Sequence, residues 1–206
     1  MASRNYWLKD GDSRSRREAG ALDPTDEELI RWVGRGDRDA FHALVERHAD
    51  ELFRLAAWMI GNVADAEDLV QETLLGAFRG LARFRGEASA RTWLVGILTR
   101  QVASHRRREG YRRTTSLDAA GGTVEGDARL TEPGGTGASD ARLDLAHFLA
   151  SLTPEHRDVL VLRELEGMSY EELAAALGIA RGTVESRLFR ARQALKEAMG
   201  DRWGSE

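Results

Sequence analysis

Apolar residues recur at helical spacing through two stretches of this chain, from Thr25 to about Arg108 and from about Ala141 to Met199, and no segment alternates well enough to predict a strand. The pattern predicts an all-α protein of two small helical domains. In the first stretch Thr25, with Glu28 three residues later, forms a capping box that opens a short helix presenting Leu29, Ile30, Trp32 and Val33 and closed by Gly34. A longer helix from about Asp37 to Ile60 carries Phe41, Leu44, Val45, His48, Leu52, Leu55, Ala56 and Met59 on one stripe. His48 has no metal-type partner spaced with it, so a packed histidine is predicted there rather than a ligand. Asn62 caps a third helix whose buried face is predicted as Ala66, Leu69, Val70, Leu74, Ala77 and Phe78. Trp93 leads a fourth, with Leu94, Ile97, Leu98 and Val102 inward. These four make a bundle.

In the second stretch Thr153-Pro154 starts a helix with Val159, Leu160, Leu162 and Leu165, which Gly167 ends. Ser169 and Glu172 form another capping box for a short helix from Tyr170 to Leu177, Gly178 breaks it, and a last helix from about Gly182 turns Val184, Leu188, Ala191 and Leu195 inward. Two short helices joined by a glycine turn, the second one basic, predict a helix-turn-helix. Its outward side carries Arg181, Glu185, Ser186, Phe189, Arg190 and Gln193, long enough to reach base edges and phosphates. The domains are predicted at 25–111 and 141–199. Between them, 112–140 reads as a flexible linker, marked by Gly121-Gly122, Pro133-Gly134-Gly135 and Gly137. Residues 1–24 read as a disordered tail and 200–206 as a second tail.

Charge sharpens this picture. The net charge is −4, but acids dominate from Asp23 to Glu72 and the balance reverses between Arg79 and Arg113, so a mildly acidic protein carries a basic stripe. Cysteine is absent, which excludes disulfides and thiolate metal sites and suits a reducing cytosol. No apolar run approaches the roughly 20 residues of a membrane span. A cytoplasmic protein without membrane insertion is predicted.

Two opposite chemistries adjoin between Asp65 and Leu94. On the third helix Asp68, Gln71 and Glu72 share one face at i, i+3 and i+4, a pattern that leaves open a solvated face, a carboxylate metal site and a docking surface for a basic partner. The following turn and helix start hold Arg83, Phe84, Arg85, Gly86, Ser89, Arg91, Thr92 and Trp93. Arginine clamps phosphate, an aromatic supports an unstacked base and glycine admits a close backbone, so this order suits single-stranded nucleic acid, while core packing is the alternative for each aromatic.

Five segments, in order, resemble the signatures of the extracytoplasmic-function group of bacterial RNA polymerase sigma factors. They are Asp65-Ala66-Glu67-Asp68-Leu69-Val70-Gln71-Glu72-Thr73, Arg83-Phe84-Arg85-Gly86, Arg91-Thr92-Trp93-Leu94, Leu165 through Leu173, and Gly182 through Arg192. The resemblance implies that 25–111 is sigma region 2 and 141–199 is sigma region 4. It implies that Asp68, Gln71 and Glu72 dock on the coiled coil of the polymerase's largest subunit, with the polymerase flap as a further partner surface. Arg83, Phe84, Arg85, Ser89, Arg91, Thr92, Trp93, Arg100 and Arg107 would open and read the −10 promoter element. Arg181, Thr183, Glu185, Ser186, Arg187, Phe189 and Arg190 would read the −35 element as duplex. An anti-sigma protein is implied as a partner, and the linker acids Asp118, Glu125, Asp127, Glu132 and Asp140 are a candidate nucleic-acid mimic, an inert tether being the alternative. No catalytic residue, metal or cofactor is implied. The chain departs from the family at Ala90, Arg100 and Ser104, in or beside the −10 reading segment, and at Glu185 in the recognition helix. A stand-alone helix-turn-helix regulator is the competing reading, and a carboxylate-metal hydrolase a distant third.

Overall fold

The computed structural model describes residues 23–119 and 140–203, and every regular element among them is helical. The tail 1–22, the linker stretch 120–139 and residues 204–206 lie outside the described residues, and with them most of the linker acids.

Local chemistry sets the helix ends. Helix α1 (Asp26–Val33) starts at the Thr25 capping box, in which the Thr25 amide donates to Glu28 Oε2 at 2.9 Å and the Glu28 amide donates to Thr25 Oγ1 at 3.3 Å. Asp37 caps α2 (Arg38–Ile60) by accepting from the amides of Asp39 and Ala40, and Gly61, at a φ of 77° that disfavours any side chain, ends it. Asn62 caps α3 (Val63–Gly80), which tightens into a 3-10 turn at Leu81–Arg83. Helix α4 (Ala90–Ala119) is opened by Ser89, whose hydroxyl accepts from the Thr92 amide at 3.1 Å. It outruns the predicted end near Arg108, running on through Gly110 to Ala119, just short of the Gly121-Gly122 pair.

The second stretch begins with α5 (Asp140–Ser151) and α6 (Pro154–Leu160), which widens into a π turn at Val161–Leu165. The wider turn seats both Val161 and Leu162 fully inside. Helix α7 (Tyr170–Leu177) starts at the Ser169–Glu172 capping box and stops at Gly178, with a φ of 65°; α8 (Arg181–Trp203) completes the helix-turn-helix.

Helices α1 to α4 form the predicted bundle, with α3 and α4 both against α2, and α6, α7 and α8 pack together in the second half. The halves do not stand apart. Helix α7 lies along α4, and the π turn and α6 touch α2, so one apolar core runs from Leu52, Leu55, Leu69, Leu94 and Leu98 to Leu160, Leu162, Leu173 and Leu188. Each such buried leucine contributes roughly 1.5–3 kcal/mol. A smaller cluster of Leu29, Ala40 and Leu44 ties α1 to α2.

Candidate nucleic-acid interface

Asp68, Gln71 and Glu72 are exposed together on the outer face of α3. Among the described residues Glu72 meets Arg108 of α4 at 3.6 Å, an exposed pair of small energetic weight. Next to this patch Leu75 and Phe78 are exposed as well, 46% and 51%. Phe78, predicted on the buried face, is instead half exposed with its ring edge against Phe41 at 5.0 Å between centroids, because it sits about 100° round the helix from Ala77 and off the stripe of Ala66, Leu69 and Ala77. Thr73, absent from the predicted buried face, is fully buried, and its hydroxyl donates to the Leu69 carbonyl at 2.7 Å. The outer face of α3 is thus an acidic patch with an apolar border.

The predicted DNA-reading residues divide into two groups. Arg83, Arg85, Arg100 and Arg107 are exposed, and Gly86, with a φ of 71°, turns the chain between Arg85 and Ser89. Phe84 is half-buried and tilts against Trp93 at 5.0 Å, which also leaves no spare room beside Gly80. Arg91, Thr92 and Ala90 are engaged elsewhere. Thr92 and Ala90 are buried at 2% exposure, with Thr92 Oγ1 accepting from Ser89 Oγ and facing Glu172 Oε1 at 3.5 Å. Arg91 places Nε on Glu51 and donates through one terminal nitrogen to the Glu166 carbonyl at 3.1 Å and to Glu166 Oε2 at 3.0 Å.

Arg91 therefore links α2 to the second half. Burial raises the Glu166 carboxyl above its ordinary value, and the Glu51 charge adds to this against the pull of Arg91. Glu51 is lowered, because His48 and Arg91 outweigh its burial. His48 is packed, as predicted, with Nε2 2.8 Å from Asp26 Oδ2; burial opposes its protonation, but the neighbouring Glu51 and Asp26 carboxylates win and raise it. Farther along α4, Arg106 grips both carboxylate oxygens of Asp158 at 2.8 and 2.9 Å. Arg106 and Arg157 both donate to the Met59 carbonyl at the end of α2, at 2.7 and 3.0 Å. Burial raises Asp158 against the pull of Arg106 and Arg157.

On the helix-turn-helix, Arg181, Glu185, Ser186, Phe189 and Arg190 are exposed on one side of α8, and Thr183 and Arg187 are half-buried beside them. Arg181 pairs with Glu171 and with Glu185, the latter at 3.0 Å, so the departure at Glu185 has a cationic partner in place. Among the described residues no group of three or more His, Asp or Glu is arranged to hold a metal ion, and no helix is long and apolar enough to cross a membrane.

The contact between the halves had escaped the sequence reading. Leu94, Val95, Gly96, Ile97, Leu98 and Thr99 are all buried, whereas the periodic reading gave α4 a single inward face. A helix that is apolar all round is covered all round, and that run was the available signal.

The family model for sigma-70 region 2 matches residues 44–112, and that for sigma-70 region 4 matches 142–195. The chain is 38% identical over 183 residues to the ECF RNA polymerase sigma factor SigE of Mycolicibacterium smegmatis, covering 85% of this chain and 70% of that protein. It is 34% identical over 182 residues to the RNA polymerase sigma-H factor of Pseudomonas aeruginosa, covering 84% and 93%. Among solved structures it resembles the sigma factor RpoE in complex with the anti-sigma factor NepR from Bartonella quintana, with a TM-score of 0.65 and 31% identity over 77% of this chain and 96% of that one.

Proposed function

Because the chain belongs to the extracytoplasmic-function sigma factors of bacterial RNA polymerase, whose members direct transcription initiation, we propose that its two exposed chemistries divide that task between polymerase and promoter. Asp68, Gln71 and Glu72 dock on the basic coiled coil of the polymerase's largest subunit, with Leu75 and Phe78 as the apolar border of the contact. The observation that carries this is their joint exposure on one face of α3. The second half reaches the polymerase flap.

Arg83, Arg85, Arg100 and Arg107 contact the phosphates of the −10 element, and the Phe84–Trp93 pair supports an extruded base. Capturing that base offsets an unstacking cost of a few kcal/mol. Arg181, Thr183, Glu185, Ser186, Arg187, Phe189 and Arg190 read the −35 duplex from α8, where Glu185 has the chemistry to accept from a cytosine amine. Holding both readers on one polymerase makes the second contact effectively intramolecular. The chain itself breaks no bond, and its place of action is the cytoplasm, on the nucleoid with polymerase. The likeness to a sigma factor bound to its anti-sigma factor supports an anti-sigma protein as a partner here.

Addition of the purified chain to core polymerase tests the reading. Core should recover the chain in a pull-down and should start transcripts at a promoter that core alone ignores. A folded chain that core does not recover would return the stand-alone regulator to favour.

A further inference from the structure

The basic stripe of α4 does not stop at the residues given to the −10 element. Arg100, Ser104, Arg107 and Tyr111 follow at i, i+4, i+7 and i+11, which puts them on one face of the helix, with Arg108 and Arg112 along one side of it. Trp93, seven positions before Arg100, opens the same face. Toward the far end Ser104, Arg107, Arg108, Tyr111 and Arg112 line an open groove of about 350 Å³. Tyr111 is 75% exposed, more than any other large hydrophobic side chain among the described residues.

Two ordinary explanations for this cluster fall short. Basic residues favour the last turn of a helix, but α4 continues to Ala119, so Arg107, Arg108 and Arg112 lie well before its end. Local ion pairing accounts for little either. Arg106, on another face, is held by Asp158 and the Met59 carbonyl, whereas Arg108 meets Glu72 only at 3.6 Å and Arg112 pairs with its helix neighbour Glu109 at 2.8 Å, both at the surface. Exposed pairs of this kind are weak and yield to a stronger anion.

The direction of α4 says which anion. The base is extruded at the Phe84–Trp93 end, and from there the strands are separate toward the transcription start. The far end of α4 therefore meets paired DNA, on the −35 side. From Arg100 to Arg112 the helix rises roughly 18 Å at ~1.5 Å per residue, the length of about five base pairs at ~3.4 Å each. We propose that Arg108, Tyr111 and Arg112 hold the backbone of the duplex just upstream of the −10 element, an added contact that belongs to neither promoter element. This rests on the −10 reading given to α4 above. Guanidinium forks and a phenol hydroxyl suit phosphate oxygens, and the ring has the size to cover the adjoining sugar. The contact positions the DNA and carries no sequence information.

The test uses holoenzyme, the full chain on core polymerase, and the promoter at which it starts transcripts. Two DNAs carry that −10 element, open downstream and without the −35 element; one ends its duplex at the element's upstream edge, and the other continues for one further helical turn of arbitrary sequence. The parent should prefer the longer DNA. The triple variant Arg108→Gln, Tyr111→Ala and Arg112→Gln should bind the longer DNA about tenfold more weakly than the parent does. Its slope of log affinity against log salt should be shallower by about 1.8, or ~0.9 for each phosphate given up by an arginine. The shorter DNA should bind variant and parent alike. Gly110→Ala gives an effect of the opposite sign. No neighbouring atom among the described residues lies within 4 Å of a Cβ placed there, so the change stiffens this part of α4 and should tighten the longer DNA by about twofold to fivefold. A folded, core-bound triple variant that binds both DNAs as the parent does, or loses affinity for both equally, would overturn the proposal. A parent chain that core does not recover would overturn the sigma reading, and this contact with it.

Discussion

The outer face of α3 and the first turn of α4 carry the two chemistries that adjoin in sequence, and the fold treats them in opposite ways. On α3, Asp68, Gln71, Glu72, Leu75 and Phe78 are exposed, and the ion pair that Glu72 makes with Arg108 is loose and exposed. On α4, Arg91 and Thr92 are enclosed by Glu51, Glu166 and Glu172. The difference teaches an order of events. A surface that is open in the free protein can meet its partner first, while one whose hydrogen bonds are already filled must lose them before it gains others.

The largest effect that would break this comparison is on the open face. Replacing both Asp68 and Glu72 with arginine should weaken binding to core polymerase by about 100-fold or more, read in a pull-down or by surface binding, because like charges would meet a basic partner. A loss of less than a few-fold would remove α3 from the interface. Leu98→Ala should cost about 2–5 kcal/mol. Since Leu98 belongs to the core shared by both halves, its thermal melt should stay a single transition at lower temperature. Two separated transitions in the parent protein would contradict the shared core.

Asp158→Ala should cost about 3 kcal/mol, because Arg106 and Arg157 keep their charge with their carboxylate gone. Denaturant unfolding measures it, and a cost below about 1 kcal/mol would show that this clasp is slack. The smallest effect is a pH dependence at His48. Its pKa is raised on folding, so its contribution to stability is complete below the unfolded value of 6.5 and is lost as pH rises through the higher folded value. The groups facing it are Asp26 of α1 and Glu51 of α2, with Arg47 on Asp26 and Arg91 on Glu51. The stability difference between the parent and His48→Gln should narrow across that rise. A difference independent of pH would mean that His48 stays neutral.

Much of this was legible because it is local. Both capping boxes, the Asn62 cap and the glycine at 178 sit where the chain pattern places them, since each depends on residues within four positions. The outward side of the last helix was legible for the same reason: Val184, Leu188 and Ala191 recur at helical spacing and leave Arg181, Glu185 and Phe189 outside. The contact between the halves was not legible. Arg91 and Glu166 lie 75 positions apart, and nothing local to either points to the other. Phe78 was misplaced because its apolar character was given more weight than its place on the helix, about 100° round from the buried Ala77. Whether Asp68, Gln71 and Glu72 form a solvated face or a docking surface was beyond periodicity altogether, since both leave the same residues exposed.

The most direct test of the order of events is the distance between spectroscopic labels at Asp50→Cys and Glu197→Cys, exposed sites in a chain with no other cysteine, measured free, with promoter DNA alone, and with core polymerase alone. The account predicts a short distance in the free chain, little change with DNA alone, and a marked lengthening with core polymerase. A long distance in the free chain, or a lengthening driven by DNA alone as fully as by polymerase, would contradict it.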